Sequence, residues 1–402
     1  QSTLTLDIAS GTNTYVGSIG RSGGNNLALV KTGEGVLELS GANTYTGATA
    51  VHNGTLRIGA DNALPTSTTV TLGLDASDNS ALLDLNGFNQ QLAGLVRTGL
   101  AAAETNVFNS DTSTESTLTL TGGNFAGVIG RDGGDNLGLT KIGTAQLQLS
   151  GANTYTGATV IGAGNIRAGV LADFGSPSTF GRGTADTPIV LGSAGGNQGS
   201  IWYTGGNVAI NRTFHVADCG SGSIGAASGS ITLNGAVEGG SAGSNMRFSS
   251  QGSSTMTLNA ENTYLGTTHI YGHHTGNNGI VRLGIDNALP TTTSLSLGFV
   301  SGANQYTGLL DLNGFHQELT GLVRYAGATG PYLNVYNSNA AAQSTLTLNI
   351  ASGTNTYDGV IGRTGGDNLA LVKTGEGALE LLRANTYTGT TTVEAGLLSV
   401  PG

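Results

Sequence analysis

The sequence predicts an all-β fold, a right-handed parallel β-solenoid (β-helix) of tandem modules about 114 residues long. Three observations carry that reading: a phrase that returns at a fixed interval, short strands of period two with no helical stripe, and a composition rich in glycine and poor in charge.

The interval is the strongest signal. Ser2-Thr3-Leu4-Thr5-Leu6 returns at Ser116-Thr117-Leu118-Thr119-Leu120, at Ser230-Ile231-Thr232-Leu233 and at Ser344-Thr345-Leu346-Thr347-Leu348, each start 114 residues after the one before. Self-similarity at a fixed period marks a repeat architecture, and it overrides the two or three globular domains that 402 residues would otherwise suggest. The expected modules are 1–115, 116–229, 230–343 and a partial fourth at 344–402. Residues 343–402 echo the opening of the chain down to Asp367-Asn368-Leu369-Ala370-Leu371-Val372-Lys373-Thr374-Gly375-Glu376-Gly377, and an array that stops in mid-module reads as part of a longer one.

The strands follow from alternation. In Val36-Leu37-Glu38-Leu39-Ser40 the leucines share one face and Glu38 takes the other, and Thr55-Leu56-Arg57-Ile58 repeats the scheme. Thr69-Val70-Thr71-Leu72 and Leu83-Asp84-Leu85 add further strands between turn-forming Gly, Asn, Asp and Ser. A long module of short strands could fold as a sandwich, but covalent tandem repetition with drifting sub-repeats favours coils of a solenoid. At about 20–25 residues per coil and about 4.8 Å of rise, a module would supply roughly five coils and the chain a rod on the order of 80–90 Å long.

Composition excludes several classes. Gly supplies 68 of 402 residues, more than twice the usual share of about 7%, while charged residues are 10% against about 25%. The glycines are not every third residue and 38% of positions are hydrophobic, which excludes collagen and leaves enough apolar surface to fold. Cys219 is the only cysteine, so no disulfide framework or Cys-based zinc site is available, and it is expected to be a small buried hydrophobe. A net charge of −10 without a basic cluster argues against nucleic acid as a partner. No stretch of about 18 apolar residues offers a membrane-spanning helix, so no membrane insertion by this segment is expected. No signal segment opens the chain at Gln1, so any export signal is expected outside these residues.

Within each module, a Leu-x-Leu strand is followed by Asn-Thr-Tyr-x-Gly. The longer phrase from Asn43-Thr44-Tyr45-Thr46-Gly47 through Gly54-Thr55-Leu56-Arg57-Ile58-Gly59 resembles the passenger-associated transport repeat, also called the autotransporter-associated β-strand repeat. It returns at 153–169, at 262–284 with an insertion and at 385–402, and the preceding Lys31-Thr32-Gly33-Glu34-Gly35-Val36-Leu37-Glu38-Leu39 also fits the pattern. The resemblance implies a right-handed β-helix exported to the bacterial surface, usually in a very large protein serving as stalk, adhesin or coat. In autotransporters such repeats precede a membrane-embedded barrel, whose alternating ten-residue strands are not seen near Pro401.

Several residues invite chemistry. Trp202-Tyr203 could stack on a sugar, although filling a wider coil is the favoured role. His269, His273 and His274 could form a weak metal site, but neighbours on a strand point to opposite faces, and an exposed loop tip at the insertion is expected instead. The turns Arg21-Ser22-Gly23-Gly24-Asn25, Arg131-Asp132-Gly133-Gly134-Asp135 and Arg363-Thr364-Gly365-Gly366-Asp367 could recruit calcium, yet their spacing does not match a calcium-binding nonapeptide and turn geometry is the favoured reason. Threonine-bearing strands such as 66–71 could form an ice-binding face, but the phrase recurs too rarely. Acidic residues such as Glu38 with Glu380, Asp84 with Asp311 and Asp61 with Asp286 belong to repeats, whereas an active site should be a unique cluster. No catalytic, cofactor-binding or metal-ligating residue is therefore assigned.

The expected function is mechanical or adhesive, as an extracellular solenoid stalk or filament. A glycan-binding adhesin is the alternative and a lyase-like enzyme a distant third. Expected partners are neighbouring repeats, a further copy joined end to end through unpaired terminal strands, or surface glycans.

Overall fold

A strand of period two with leucine on one face cannot bury that face alone, and the chain solves this by stacking each strand on the next coil. A computed structural model describes residues 2–21, 26–74, 79–99, 104–132, 134–272, 278–328 and 333–400. Among them every regular element is a β-strand, and no helix is long and apolar enough to cross a membrane. The strands stack in parallel as a β-solenoid in two units, 1–189 and 190–402.

In the first unit one face runs through Ser2–Asp7, Leu27–Thr32, Thr49–Val51 and Thr69–Leu72, all parallel. A second holds Thr12–Tyr15, Val36–Leu39, Gly54–Ile58, Ala81–Asp84, Thr105–Phe108 and Val128–Ile129. The strands predicted from alternation are thus present, with Leu37, Leu39, Leu56 and Ile58 buried inside. At the positions opposite these leucines, Glu38, Arg57 and Asp84 stand in one cross-coil register, and half-buried Arg57 Nε donates to Oδ2 of the fully covered Asp84 at 2.9 Å. Opposite charges on adjacent coils suit each other at that spacing.

The coil and the sequence module are out of step. Register carries Leu4 to Leu29, Thr49, Val70, Leu95 and Gly123 on successive coils, so five coils take 119 residues while the sequence repeats every 114. Individual coils range from 20 residues, Leu29 to Thr49, to 28, Leu95 to Gly123. Leu118, the sequence counterpart of Leu4, consequently lies on another face, in register with Gln90 and Leu139. The long strands Gln90–Arg97 and Ser116–Phe125 make this shift, each contributing to two faces.

In the second unit one face comprises Gln198–Tyr203, Ser221–Ala226, Asn245–Ser250, Thr267–Gly272, Ser294–Leu297 and Gly321–Arg324. Another includes Ile231–Leu233, Thr255–Leu258, Asn278–Leu283, Asn304–Asp311 and Leu333–Tyr336. Phe299–Ser301 turns back antiparallel on Asn304–Asp311, forming a hairpin with Phe299 opposite Tyr306.

Candidate functional site

The recurrent motif residues are consumed in holding coils together. Asn43 accepts the Ile19 backbone N–H at 2.7 Å and donates to the Ala63 carbonyl at 2.7 Å, linking the coil before to the coil after. Asn153 joins Ile129 to Thr179, and Asn262 joins Val237 to Ala288, by the same pair of bonds. The tyrosine two residues on points inward: Tyr45, Tyr155 and Tyr264 are buried, and each phenol meets the threonine four residues later at 2.5, 2.7 and 2.5 Å. Burial pushes the Tyr45 phenol up to about 12.

Lysine has an equally internal role. Lys31, Lys141 and Lys373 are fully buried, because period two puts Lys31 on the same face as Leu29. Lys31 Nζ donates to the carbonyls of Thr32, Gly33 and Asn53 at 2.9, 2.7 and 3.0 Å, so all three ammonium protons are used. Lys141 and Lys373 repeat the arrangement. Gly33 completes the turn at φ +76°, where an added Cβ would lie 2.4 Å from the Ile8 carbonyl oxygen. Desolvation lowers all three lysines, Lys141 to about 8.

The acidic turns are likewise committed. Arg131 Nε reaches Asp135 Oδ1 at 3.2 Å while the Asn109 N–H donates to Asp135 Oδ2 at 3.2 Å, and the guanidinium sits 4.6 Å from the Phe108 ring centroid. Arg363, Asp367, Asn337 and Tyr336 reproduce this. Each carboxylate already has an arginine and an amide as partners. Among the described residues no group of three His, Cys, Asp or Glu is arranged to hold a metal ion.

Of the other singled-out residues, Tyr203 is buried and Trp202 faces outward, half-buried. His273 and His274 lie outside the described residues. Cys219 corrects the expectation of a buried hydrophobe: it is exposed, in a turn at φ +56° that carries its side chain away from the core.

A non-repeating cluster stands on the outer wall of the second unit. Trp202, Gly225, Ser249 and Tyr271 share one cross-coil register, as do Arg247, His269, Ser296 and Val323 beside it. Trp202 leans over Gly225, where an added Cβ would lie 2.2 Å from indole carbons Cε3 and Cζ3. The Tyr271 phenol reaches back toward Ser223 and Ser249 on the two preceding coils, and burial raises it above its ordinary range. Phe299 then joins Tyr271, Tyr306 and Tyr325 at centroid distances of 5.2, 5.9 and 5.1 Å, and Tyr325 meets His269 edge-on at 6.1 Å. All these aromatic side chains are half-buried. His269 Nε2 lies 3.2 Å from Asn245 Oδ1; burial, with Arg247 beside it, holds the imidazole down to about 4, so the ring is neutral at pH 7.

Sequence reading reached Trp202 and His269 but missed Arg247, Tyr271, Phe299, Tyr306 and Tyr325. The usable signal was departure from the repeat at outward positions: Arg247 stands where other copies carry Ala28, Gly138 and Ala370, and Tyr271 where they carry His52, Gly162 and Glu394.

The passenger-associated-transport-repeat family matches residues 29–58, 139–172, 251–272 and 371–400. The first three segments contain the internal Asn, Tyr and Thr groups, and the first, second and fourth the buried lysine. The chain is 33% identical over 348 residues to the Adhesin BmaC autotransporter of Brucella suis biovar 1 (strain 1330), covering 78% of this chain and 9% of that protein. It is 28% identical over 241 residues to Outer membrane protein A of Rickettsia rickettsii, covering 51% of this chain and 11% of that protein. The chain thus spans about a tenth of the length of these relatives. No solved structure matches it. Four repeat matches, with the repeat's own polar residues forming the coil-to-coil staples, make the chain a member of the passenger-associated-transport-repeat proteins.

Proposed function

We propose that this chain is a segment of a bacterial surface passenger, outer-membrane associated and displayed outside the cell, whose coils serve as a non-catalytic stalk in adhesion. The observation that carries the reading is the internal use of the repeat's polar groups. A repeat whose Asn, Tyr, Thr and Lys are spent on neighbouring coils propagates a scaffold and leaves the outward positions to vary. The names of the two relatives, an autotransporter adhesin and an outer membrane protein, support surface display.

Antibodies raised against this chain test the proposal on the native cells. Immunogold labelling of intact cells, removed by external protease, is the expected result. Labelling that appears only after permeabilisation would overturn it. Deleting the coding segment from the full-length protein should reduce attachment to host material or to other cells, and unchanged attachment would remove the adhesive role.

A further inference from the structure

We propose that the outer wall formed by Trp202, Arg247, His269, Tyr271, Phe299 and Tyr325 binds a carboxylate-bearing polysaccharide. This deepens the adhesive reading above and rests on it for biological sense, although the site is argued from its own geometry.

The backbone of this face is already used. Asn245–Ser250 and Thr267–Gly272 have parallel neighbours on both sides, so a ligand cannot add a strand there and must be read by side chains. Those side chains form a raised line of rings, with Phe299 in contact with Tyr271 and Tyr325 and with Trp202 further along the same wall. Half-buried rings on a rigid sheet offer flat apolar faces at little entropic cost, which suits the C–H face of a pyranose. Beside the rings, half-buried Asn245 and neutral His269 supply amide and imidazole groups for sugar hydroxyls. That combination fits a glycan better than a peptide, which would need deep pockets for its side chains.

Charge selects the class of glycan. Arg57, Arg131, Arg282, Arg324, Arg363 and Arg383 all have carboxylate partners. Arg247, like the exposed Arg167 elsewhere, has none within 4 Å among the described residues, but Arg247 is half-buried beside the aromatic line. A half-buried guanidinium left without a counter-ion next to an aromatic line is placed to pair with a carboxylate brought by the ligand. His269 stays neutral beside it, so the site's positive charge is that of Arg247.

Trp202 is the only tryptophan, so intrinsic fluorescence excited at the indole reports from this wall alone. The test titrates the whole chain with oligogalacturonate, with neutral dextran oligosaccharide and with poly-glutamate. A saturable change with oligogalacturonate is expected, weakened at least tenfold with dextran and poly-glutamate. Tyr271→Ala and, independently, Arg247→Met should each weaken it at least tenfold, and Arg247→Met should leave the melting temperature of the chain near that of the parent. If Tyr271→Ala fails to fold, the half-exposed Arg247→Met and the ligand comparison still decide. No saturable response to oligogalacturonate, or one that survives both substitutions, overturns the site. Equal binding of dextran overturns the carboxylate, and equal binding of poly-glutamate overturns the sugar. None of these failures would alter surface labelling of cells, so the stalk reading stands or falls separately.

Discussion

Inside the second unit the phenolic oxygen of Tyr264 lies 2.5 Å from Thr268 Oγ1, which in turn lies 2.9 Å from Thr293 Oγ1 on the next coil. The chain of hydroxyls ends on the Gly266 carbonyl, to which Thr293 donates at 2.8 Å. A motif tyrosine thereby ties its own coil to its neighbour, and burial raises its phenol far above the ordinary range.

Removing that hydroxyl leaves buried threonines short of a partner. Tyr264→Phe should destabilise the coils around it by about 1–2 kcal/mol, and Tyr264→Ala, which also opens a cavity, by about 3–5 kcal/mol. Because coils contact mainly their neighbours, hydrogen exchange should show lost protection concentrated near residues 237–297 and not spread evenly.

The buried lysines predict a similar local weakness. Lys141→Met keeps much of the volume but strands the Ile142, Gly143 and Ala163 carbonyls, so a loss of about 2–4 kcal/mol is expected in urea unfolding. A loss below about 0.5 kcal/mol would show that water replaces the ammonium freely.

Alkaline pH should first strengthen and then weaken the fold. Lys141 titrates near 8 when folded and near 10.5 when unfolded, so between these values the unfolded chain holds the extra proton and stability rises with pH. Tyr45 has the opposite sign: its folded value of about 12 exceeds the usual 10, so above pH 10 the unfolded chain loses its proton first and stability falls. A thermal-melt series from pH 7.5 to 11.5 should pass through a maximum near pH 10, and Lys141→Met should flatten the rising limb.

On the acid side, His269 should remain neutral at pH 5, visible as an imidazole proton resonance that moves only toward pH 4. The unfolded residue titrates near 6.5, so between about 6.5 and 4 acidification favours the unfolded chain and exposes the wall around Tyr325.

Gly225→Ala tests the geometry of the outer wall. Its new methyl would lie 2.2 Å from Trp202 Cε3, so the indole must move outward. A red-shifted fluorescence maximum with little change in melting temperature is the expected outcome; an unshifted maximum would place the indole elsewhere.

The sequence by itself determined the β-solenoid class, because period-two leucines in Val36–Leu39 and Gly54–Ile58 cannot be buried except by stacking coils, and the 114-residue return says that the coils are copied. It also put Tyr45 and Asn43 in a recurring motif, and inward parity with Leu29 was a legible sign that Lys31 is buried. Only the tertiary structure decided which repeat positions meet. Five coils need 119 residues and the module has 114, so identical phrases land on different faces, as Leu4 and Leu118 do. For the same reason Trp202, Tyr271 and Tyr325, separated by 69 and 54 residues, share one outer wall. Their proximity is set by coil length and register, quantities that accumulate small turn-by-turn differences and leave no periodic trace in the chain.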